Sequence, residues 1–110
     1  MISVQVVLLL LWIHFIADFV LQSSHVAINK SKSNLILAKH VAIYGLLFIP
    51  ISLPYAIINS LLHFIVDYIT ARMTSIFWQH NERHWFFVTI GLDQVIHATC
   101  LIITYLLLGL

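Results

Sequence analysis

Four long apolar segments, separated by three short breaks, make up most of the chain. The segments cover approximately residues 2–22, 35–53, 55–77 and 85–110. A helix rises about 1.5 Å per residue, so each segment approaches or exceeds the length that crosses about 30 Å of hydrocarbon. The pattern predicts an all-α, polytopic membrane protein whose single domain, residues 1–110, is a four-transmembrane-helix bundle.

The breaks between the segments determine the expected orientation. The first and third are polar, and the second is an uncharged turn between Pro50 and Pro54, where proline stops one helix and allows the next to start. Every basic residue lies in or beside the first and third breaks: Lys30, Lys32, Lys39, Arg72 and Arg83. By the positive-inside rule, these two loops face the cytoplasm and both termini face outward.

The composition agrees with a chain in lipid. Of its 110 residues, 62% are hydrophobic and 8% are charged, whereas a soluble domain of this size needs far more charge to cover its surface. The net charge of +1 is not informative about nucleic acid, but the chain has no basic stripe and no run of like charges, so no nucleic-acid partner is expected. The expected partner is the lipid bilayer, and a homo-oligomer is left open because no segment defines an interface.

Three His–Asp pairs interrupt the apolar segments. Each of the three Asp residues in these segments has a His four residues away: His14–Asp18, His63–Asp67 and Asp93–His97. Residues at this spacing share one helix face. Three Asp near helix centres cost roughly 8–10 kcal/mol on insertion scales, so they are expected to face the bundle interior. A buried cluster of this kind predicts a functional site.

Helix direction predicts how the three pairs meet. The first and third helices run toward the cytoplasm with His before Asp, and the fourth runs away from it with Asp before His. Each Asp is therefore the cytoplasmic member of its pair, and each His lies about one turn deeper. The second helix is expected to place His40 near the level of the Asp side chains and Tyr44 one turn below.

A repeated spacing suggests two duplicated helical hairpins. The pair His14–Asp18 recurs as His63–Asp67, and the positions of His40–Tyr44 recur as Asp93–His97. Two hairpins inserted in the same direction would give this pattern around an axis along the membrane normal.

The first functional interpretation is a metal site near the cytoplasmic face. Its expected ligands are His14, Asp18, His40, His63, Asp67, Asp93 and His97. Imidazole and carboxylate ligands favour Zn²⁺, with Mn²⁺ or Fe²⁺ as alternatives, and are enough for one or two ions. The corresponding enzyme is a metal-dependent hydrolase of a phosphoester or lipid-linked substrate, with catalytic carboxylates among Asp18, Asp67 and Asp93, one of them a general base.

Two other functions fit the same residues. A proton or metal-ion carrier uses chains of Asp and His inside a membrane, but the outer halves of the spans are nearly free of polar residues, which favours a site open only to the cytoplasm. A non-catalytic accessory protein uses His–Asp pairs to fix helix packing. A Ser or Cys triad is disfavoured because neither nucleophile stands beside a His–Asp pair in the spans.

Further polar residues surround the expected site. Gln22 and Asn59 extend two of the pairs by one turn. They either donate hydrogen bonds that support the ligands or are simply polar residues at the membrane–water interface. Gln94 is expected to contact a neighbouring helix. Three basic residues line the cytoplasmic rim, where they bind a phosphate or lipid headgroup or serve only as anchors: Lys30, Lys39 and Arg72.

The motifs resemble one family of membrane proteins. They are H-x3-D-F-x-L-Q from His14 to Gln22, H-x3-D at His63 and D-Q-x2-H at Asp93, together with Lys30 and His40. Over nearly its whole length the chain resembles the small bacterial and bacteriophage membrane proteins catalogued as domain of unknown function 3307. The resemblance implies the bacterial inner membrane but no reaction.

The same resemblance carries one departure and one more distant similarity. Arg72 stands where a Lys is expected in the family, which keeps the charge and changes its geometry. The polar layout is also similar, more distantly, to bacterial inner-membrane proteins described as metal-dependent hydrolases, which is a fold-level analogy only.

Overall fold

The computed structural model describes every residue from 1 to 110 and contains helices and turns but no strand. Helix α1 covers Val4–Phe15 and continues into a single π-helical turn, Ile16–Val20, called the π-turn below. Helix α2 covers Ser24–Asn29, α3 covers Asn34–Leu46, α4 covers Leu53–Gln79 and α5 covers Arg83–Leu107. The all-α class predicted from the sequence is confirmed.

Serine side chains start four of the five helices. Ser3, Ser23, Ser33 and Ser52 precede α1, α2, α3 and α4, and each hydroxyl accepts a hydrogen bond from the backbone N–H three residues further along. Each bond satisfies one of the N–H groups that a helix start leaves without an intrahelical partner. Pro54 stands in the first turn of α4, where its missing N–H leaves no bond unmade. These helix starts therefore follow from the local sequence.

Two of the four predicted spans, α4 and α5, are long enough and apolar enough to cross a membrane. The other two apolar helices, Val4–Val20 and Asn34–Leu46, are shorter. The predicted span 35–53 extends beyond its helix, because α3 ends at Leu46 and is followed by turns. Pro50 accounts for this end, since its ring would clash with the carbonyl of Leu46 if the helix continued. The segment predicted as the first polar loop contains the short helix α2.

The distribution of polar and apolar side chains is the reverse of that in a soluble domain. Ten of the 21 buried residues are polar or charged. Large apolar side chains cover the outside, where Trp12, Leu61, Val95 and Leu107 are 64%, 62%, 63% and 80% exposed. Soluble proteins seldom expose this much apolar surface or bury this much charge. The helices are therefore arranged around a polar interior.

An apolar layer closes one end of this interior. It is formed by fully buried side chains from α1, α4, α5 and the turn that follows α3: Leu10, Phe48, Tyr55 and Leu101. Leu10 lies one turn before His14, and Leu101 lies one turn after His97, so the layer lies directly beyond the imidazoles. The Tyr55 hydroxyl donates a hydrogen bond to the Leu101 carbonyl at 2.7 Å, which joins α4 to α5.

Gly45 allows α3 and α4 to approach closely. A Cβ atom at this position would collide with the hydroxyl of Ser60, which donates a hydrogen bond to the Ala56 carbonyl at 2.8 Å. Gly91 on α5 has no neighbouring atom within 4 Å of the corresponding Cβ position. The two glycines therefore differ in what a larger side chain would meet.

The substitution Gly45→Val is expected to destabilise the fold by about 1–3 kcal/mol, because the added methyl groups force α3 away from α4. The matched substitution Gly91→Val is expected to change the free energy of unfolding by less than about 0.5 kcal/mol. Thermal unfolding in detergent, followed by circular dichroism, measures both. An equal loss of unfolding free energy in the two variants would contradict the close approach of α3 and α4 at Gly45.

Candidate metal centre

Six ionisable side chains from four helical segments meet in the interior. The π-turn supplies Asp18, α3 supplies His40, α4 supplies His63 and Asp67, and α5 supplies Asp93 and His97. All six are at most 9% exposed. They form two overlapping groups, and within each group the possible ligand atoms lie within 4.8 Å of one another. The structure thus brings together six of the seven predicted ligands.

The four-ligand group consists of Asp18, His40, His63 and Asp67. The Nε2 atom of His40 lies 3.0 Å from Asp18 Oδ1 and 3.5 Å from Asp67 Oδ2. The Nε2 atom of His63 lies 3.4 Å and 3.2 Å from the same two oxygens. Ligands about 2.0–2.2 Å from a tetrahedral Zn²⁺ lie about 3.3–3.6 Å from one another. The four N···O distances are therefore close to the edges of a zinc tetrahedron.

His63 is the member of this group that makes no hydrogen bond. His63 is 1% exposed, and neither nitrogen of its ring makes a hydrogen bond. The ring stacks on that of His97 with 3.9 Å between centroids and lies 4.0 Å from the ring of Tyr44. Buried polar atoms in folded proteins nearly always have a partner. A ring nitrogen held between two carboxylate oxygens without a hydrogen bond fits a metal ligand.

The three-ligand group consists of Asp18, Asp93 and His97. The Nε2 atom of His97 lies 3.1 Å from Asp93 Oδ1 and 3.3 Å from Asp67 Oδ1. The Thr70 hydroxyl donates a hydrogen bond to Asp93 Oδ1 at 2.6 Å. Because Asp18 belongs to both groups, the two candidate sites share a carboxylate.

The π-turn changes the position of Asp18 relative to its own pair. The Nε2 atom of His14 lies 3.7 Å from Asp18 Oδ2, whereas the corresponding distances in the other two pairs are 3.2 Å and 3.1 Å. The wider turn is seen in the bond from the Leu21 N–H to the Ile16 carbonyl, at 2.9 Å. Such turns are frequent at functional sites. Here the Asp18 carboxylate lies next to His40 on another helix.

His14 lies beside the two groups and belongs to neither. Its Nδ1 is 2.9 Å from the Tyr44 hydroxyl, and its Nε2 is 2.7 Å from the side-chain oxygen of Gln94. The amide nitrogen of Gln94 donates to Asp18 at 3.2 Å and to Asp93 at 3.0 Å. Since both of its ring nitrogens are occupied, His14 is not a ligand in this geometry. It orients Gln94, which in turn positions two carboxylates.

Lys30 lies beside the carboxylates, on the wall of a cavity. Its Nζ is 3.0 Å from Asp67 Oδ2, and its side chain is 15% exposed. The cavity has a volume of about 250 Å³ and is lined by Asp18, Asp67 and Asp93 but by none of the histidines. A second cavity of about 340 Å³ shares Lys30 and reaches Lys32 in the polar loop. The carboxylates therefore face the cavity and the imidazoles lie behind them.

The other predicted residues differ in their relation to the cluster. Gln22 lines the cavity, and its buried side-chain oxygen accepts no hydrogen bond. Asn59 donates to a carbonyl of α4 and to the hydroxyl of Thr104, so it joins α4 to α5 and does not contact the ligands. Arg72 binds the side chain at the start of α3, and Lys39 is exposed. Neither basic side chain reaches the carboxylates.

Two contacts of the site were not predicted from the sequence. Thr70 follows Asp67 by three residues and therefore shares its helix face, so the spacing carried a usable signal. The contact of Lys30 with Asp67 joins the segment after α2 to α4, and no local pattern indicates it.

The comparisons with known proteins place the chain in a family. Residues 6–110 match the family described as protein of unknown function (DUF3307), and the chain therefore belongs to that family. No curated protein and no solved structure matches the chain.

Proposed function

We propose that this chain is an integral membrane protein with four crossings and a metal centre near the cytoplasmic face, and that it hydrolyses a phosphoester of a lipid-linked substrate. The four-ligand group carries the proposal, because it combines near-tetrahedral N···O distances with a buried His63 that makes no hydrogen bond. Zn²⁺ is favoured because it takes imidazole and carboxylate ligands in this geometry.

The charges of the site favour a divalent cation. Asp18, Asp67 and Asp93 bring three negative charges, and Lys30 brings one positive charge. Imidazoles that bind a metal are neutral, so in the metal-binding form of the cluster two negative charges remain in an interior enclosed by apolar helices. Uncompensated charge in such a place is costly. One divalent ion cancels it.

The size and surface of the molecule support membrane insertion. Its longest dimension is 43 Å, which matches the about 40–45 Å of a bilayer with its headgroups. The exposed apolar side chains suit contact with lipid tails. Lys30 and Lys32 lie at the cavities, and by the positive-inside rule this end faces the cytoplasm of a bacterial inner membrane.

Access from one side favours an enzyme over a carrier. The cavity reaches the carboxylates from the side of Lys30. On the opposite side, the apolar layer of Leu10, Phe48, Tyr55 and Leu101 is fully buried. A carrier must open its site to both sides of the membrane in turn. A hydrolase needs only one opening, through which substrate enters and both products leave.

The residues at the cavity suit phosphoester hydrolysis. A divalent ion held by this cluster would lower the pKa of a water that joins it from the cavity side as an additional ligand, and would so supply a nucleophile at neutral pH. A carboxylate at the cavity takes one proton from this water as its oxygen bonds to phosphorus. The phosphorus–oxygen bond of the ester then breaks, and the departing oxygen takes the proton back from that carboxyl group, which yields an alcohol and a phosphate. Lys30 lies where its ammonium group can contact the phosphate oxygens.

Metal analysis tests the four-ligand group. Protein purified in detergent and phosphate-free buffer, loaded with Zn²⁺ and dialysed, is expected to retain about one ion per chain. The variant His40→Ala loses a ligand and is expected to bind at least about 100-fold more weakly. His80→Ala changes an exposed loop histidine and serves as the matched control. Retention below roughly half an ion per chain by the unchanged protein would refute the metal centre.

Phosphate release from phosphatidic acid in mixed micelles with Zn²⁺ tests the reaction. Asp67→Asn is expected to lower kcat/KM by at least about 100-fold, because it removes both a ligand and a charge at the cavity. Lys39→Gln, which alters an exposed side chain away from the cluster, is expected to retain the rate. A different result would identify a carrier instead. In that case the protein does not hydrolyse phosphatidic acid, but it carries zinc or protons into proteoliposomes, and Asp67→Asn abolishes this flux.

Reporter fusions test the orientation. A reporter fused after Leu110 is expected to read out as periplasmic, and one inserted near Glu82 as cytoplasmic, because every basic residue lies in or beside the two polar loops. A cytoplasmic reading at the C-terminus would contradict the four crossings in this orientation.

A further inference from the structure

We infer that Asp18, Asp93 and His97 form a second divalent-cation site, which fills together with a phosphate anion bound in the adjoining cavity. The inference rests on the proposed function, since the first ion occupies the four-ligand group. It goes further by assigning a separate ion, with its own ligands, to the position that receives the phosphate.

The Nε2 atom of His97 faces oxygens of two carboxylates, one of which also accepts a hydrogen bond from the Thr70 hydroxyl. This nitrogen lies 3.1 Å from Asp93 Oδ1 and 3.3 Å from Asp67 Oδ1. A ring nitrogen carries at most one hydrogen, so it can donate to only one of these oxygens at a time. A cation at this point would bind the nitrogen and carboxylate oxygens together. The shared residue Asp18 then contacts both ions.

The three-ligand group leaves a coordination position open toward the cavity. Zinc sites that only stabilise structure use four protein ligands, whereas catalytic sites use three and keep one position for water or substrate. Asp18 and Asp93 line the cavity, and His97 lies behind them. The side-chain oxygen of Gln22, on the same cavity wall, is buried without a hydrogen-bond donor. This oxygen is therefore available to accept a hydrogen bond from a ligand in the cavity.

Charge couples the second ion to the phosphate. With one divalent ion, the three carboxylates and Lys30 sum to zero. A second divalent ion adds two positive charges to the same enclosed interior, which disfavours its binding alone. A phosphate dianion in the cavity removes this excess, and its oxygens can fill the open position and contact Lys30. Because binding free energies are reciprocal, the second ion also tightens phosphate binding.

Equilibrium dialysis with Zn²⁺, with and without inorganic phosphate, tests the inference by metal analysis. The unchanged protein is expected to bind about one ion per chain without phosphate and about two with it. Asp93→Asn is expected to bind about one ion in both conditions, because only the three-ligand group loses a ligand. Glu82→Gln removes an exposed carboxylate outside the cluster and is expected to behave like the unchanged protein.

The outcomes separate this inference from the proposed function. One ion in both conditions overturns the second site and leaves the first intact, whereas no ion in either condition overturns both. Two ions without phosphate overturn the coupling. If Asp93→Asn does not elute as a single folded species, His97→Gln is expected to show the same loss of the second ion. If folded Asp93→Asn or His97→Gln still binds two ions in the presence of phosphate, the side chain altered in that variant is not a required ligand.

Two sources of phosphate are distinguished by a parallel measurement in nanodiscs. Discs containing phosphatidic acid present the phosphate as a lipid headgroup, whereas inorganic phosphate is added to discs of neutral lipid. Uptake of the second ion with phosphatidic acid alone identifies a headgroup ligand. Uptake with inorganic phosphate identifies a soluble ligand, and uptake with neither overturns the inference.

Discussion

The need to compensate three buried carboxylates is the constraint on which the rest of this structure depends. Asp18, Asp67 and Asp93 lie among helices whose outer surfaces are apolar. Every polar group around them can be understood as a response: imidazoles from three helices, the amide of Gln94, and the ammonium group of Lys30. Removing charge from water is costly, so such a cluster marks a candidate functional site.

The side chains of the interior form layers along the helices, and each layer has a different role. Carboxylates and Lys30 line the cavity, imidazoles lie one turn behind, and an apolar layer closes the far end. Imidazoles shielded from the cavity can hold a metal ion firmly, while cavity-facing oxygens remain accessible to a substrate. The same layering gives the cluster a single opening, through the cavity. The proposed chemistry at a phosphate group would use this arrangement.

Supporting residues hold this geometry as firmly as the ligands do. The chain from Tyr44 through His14 to Gln94 joins three helices and ends on two carboxylates. The Thr70 hydroxyl holds Asp93 from α4. Hydrogen bonds behind the ligands fix their orientation in metal sites generally. His14 stands at the same spacing as the other pairs, but it contacts Tyr44 and Gln94 and so supports the carboxylates through Gln94.

The sequence by itself determined the helical class, the helix starts that serine caps, and the three pairs of His and Asp that share a helix face. These features depend only on residues close together in one helix. Helix direction also predicted that the carboxylates lie in front of the imidazoles. Only the tertiary structure decided which pairs share a site, since this depends on packing between helices. The π-turn placed Asp18 beside His40, hydrogen bonds from two other helices withdrew His14 from the ligands, and a loop brought Lys30 to Asp67. No local pattern encodes these contacts.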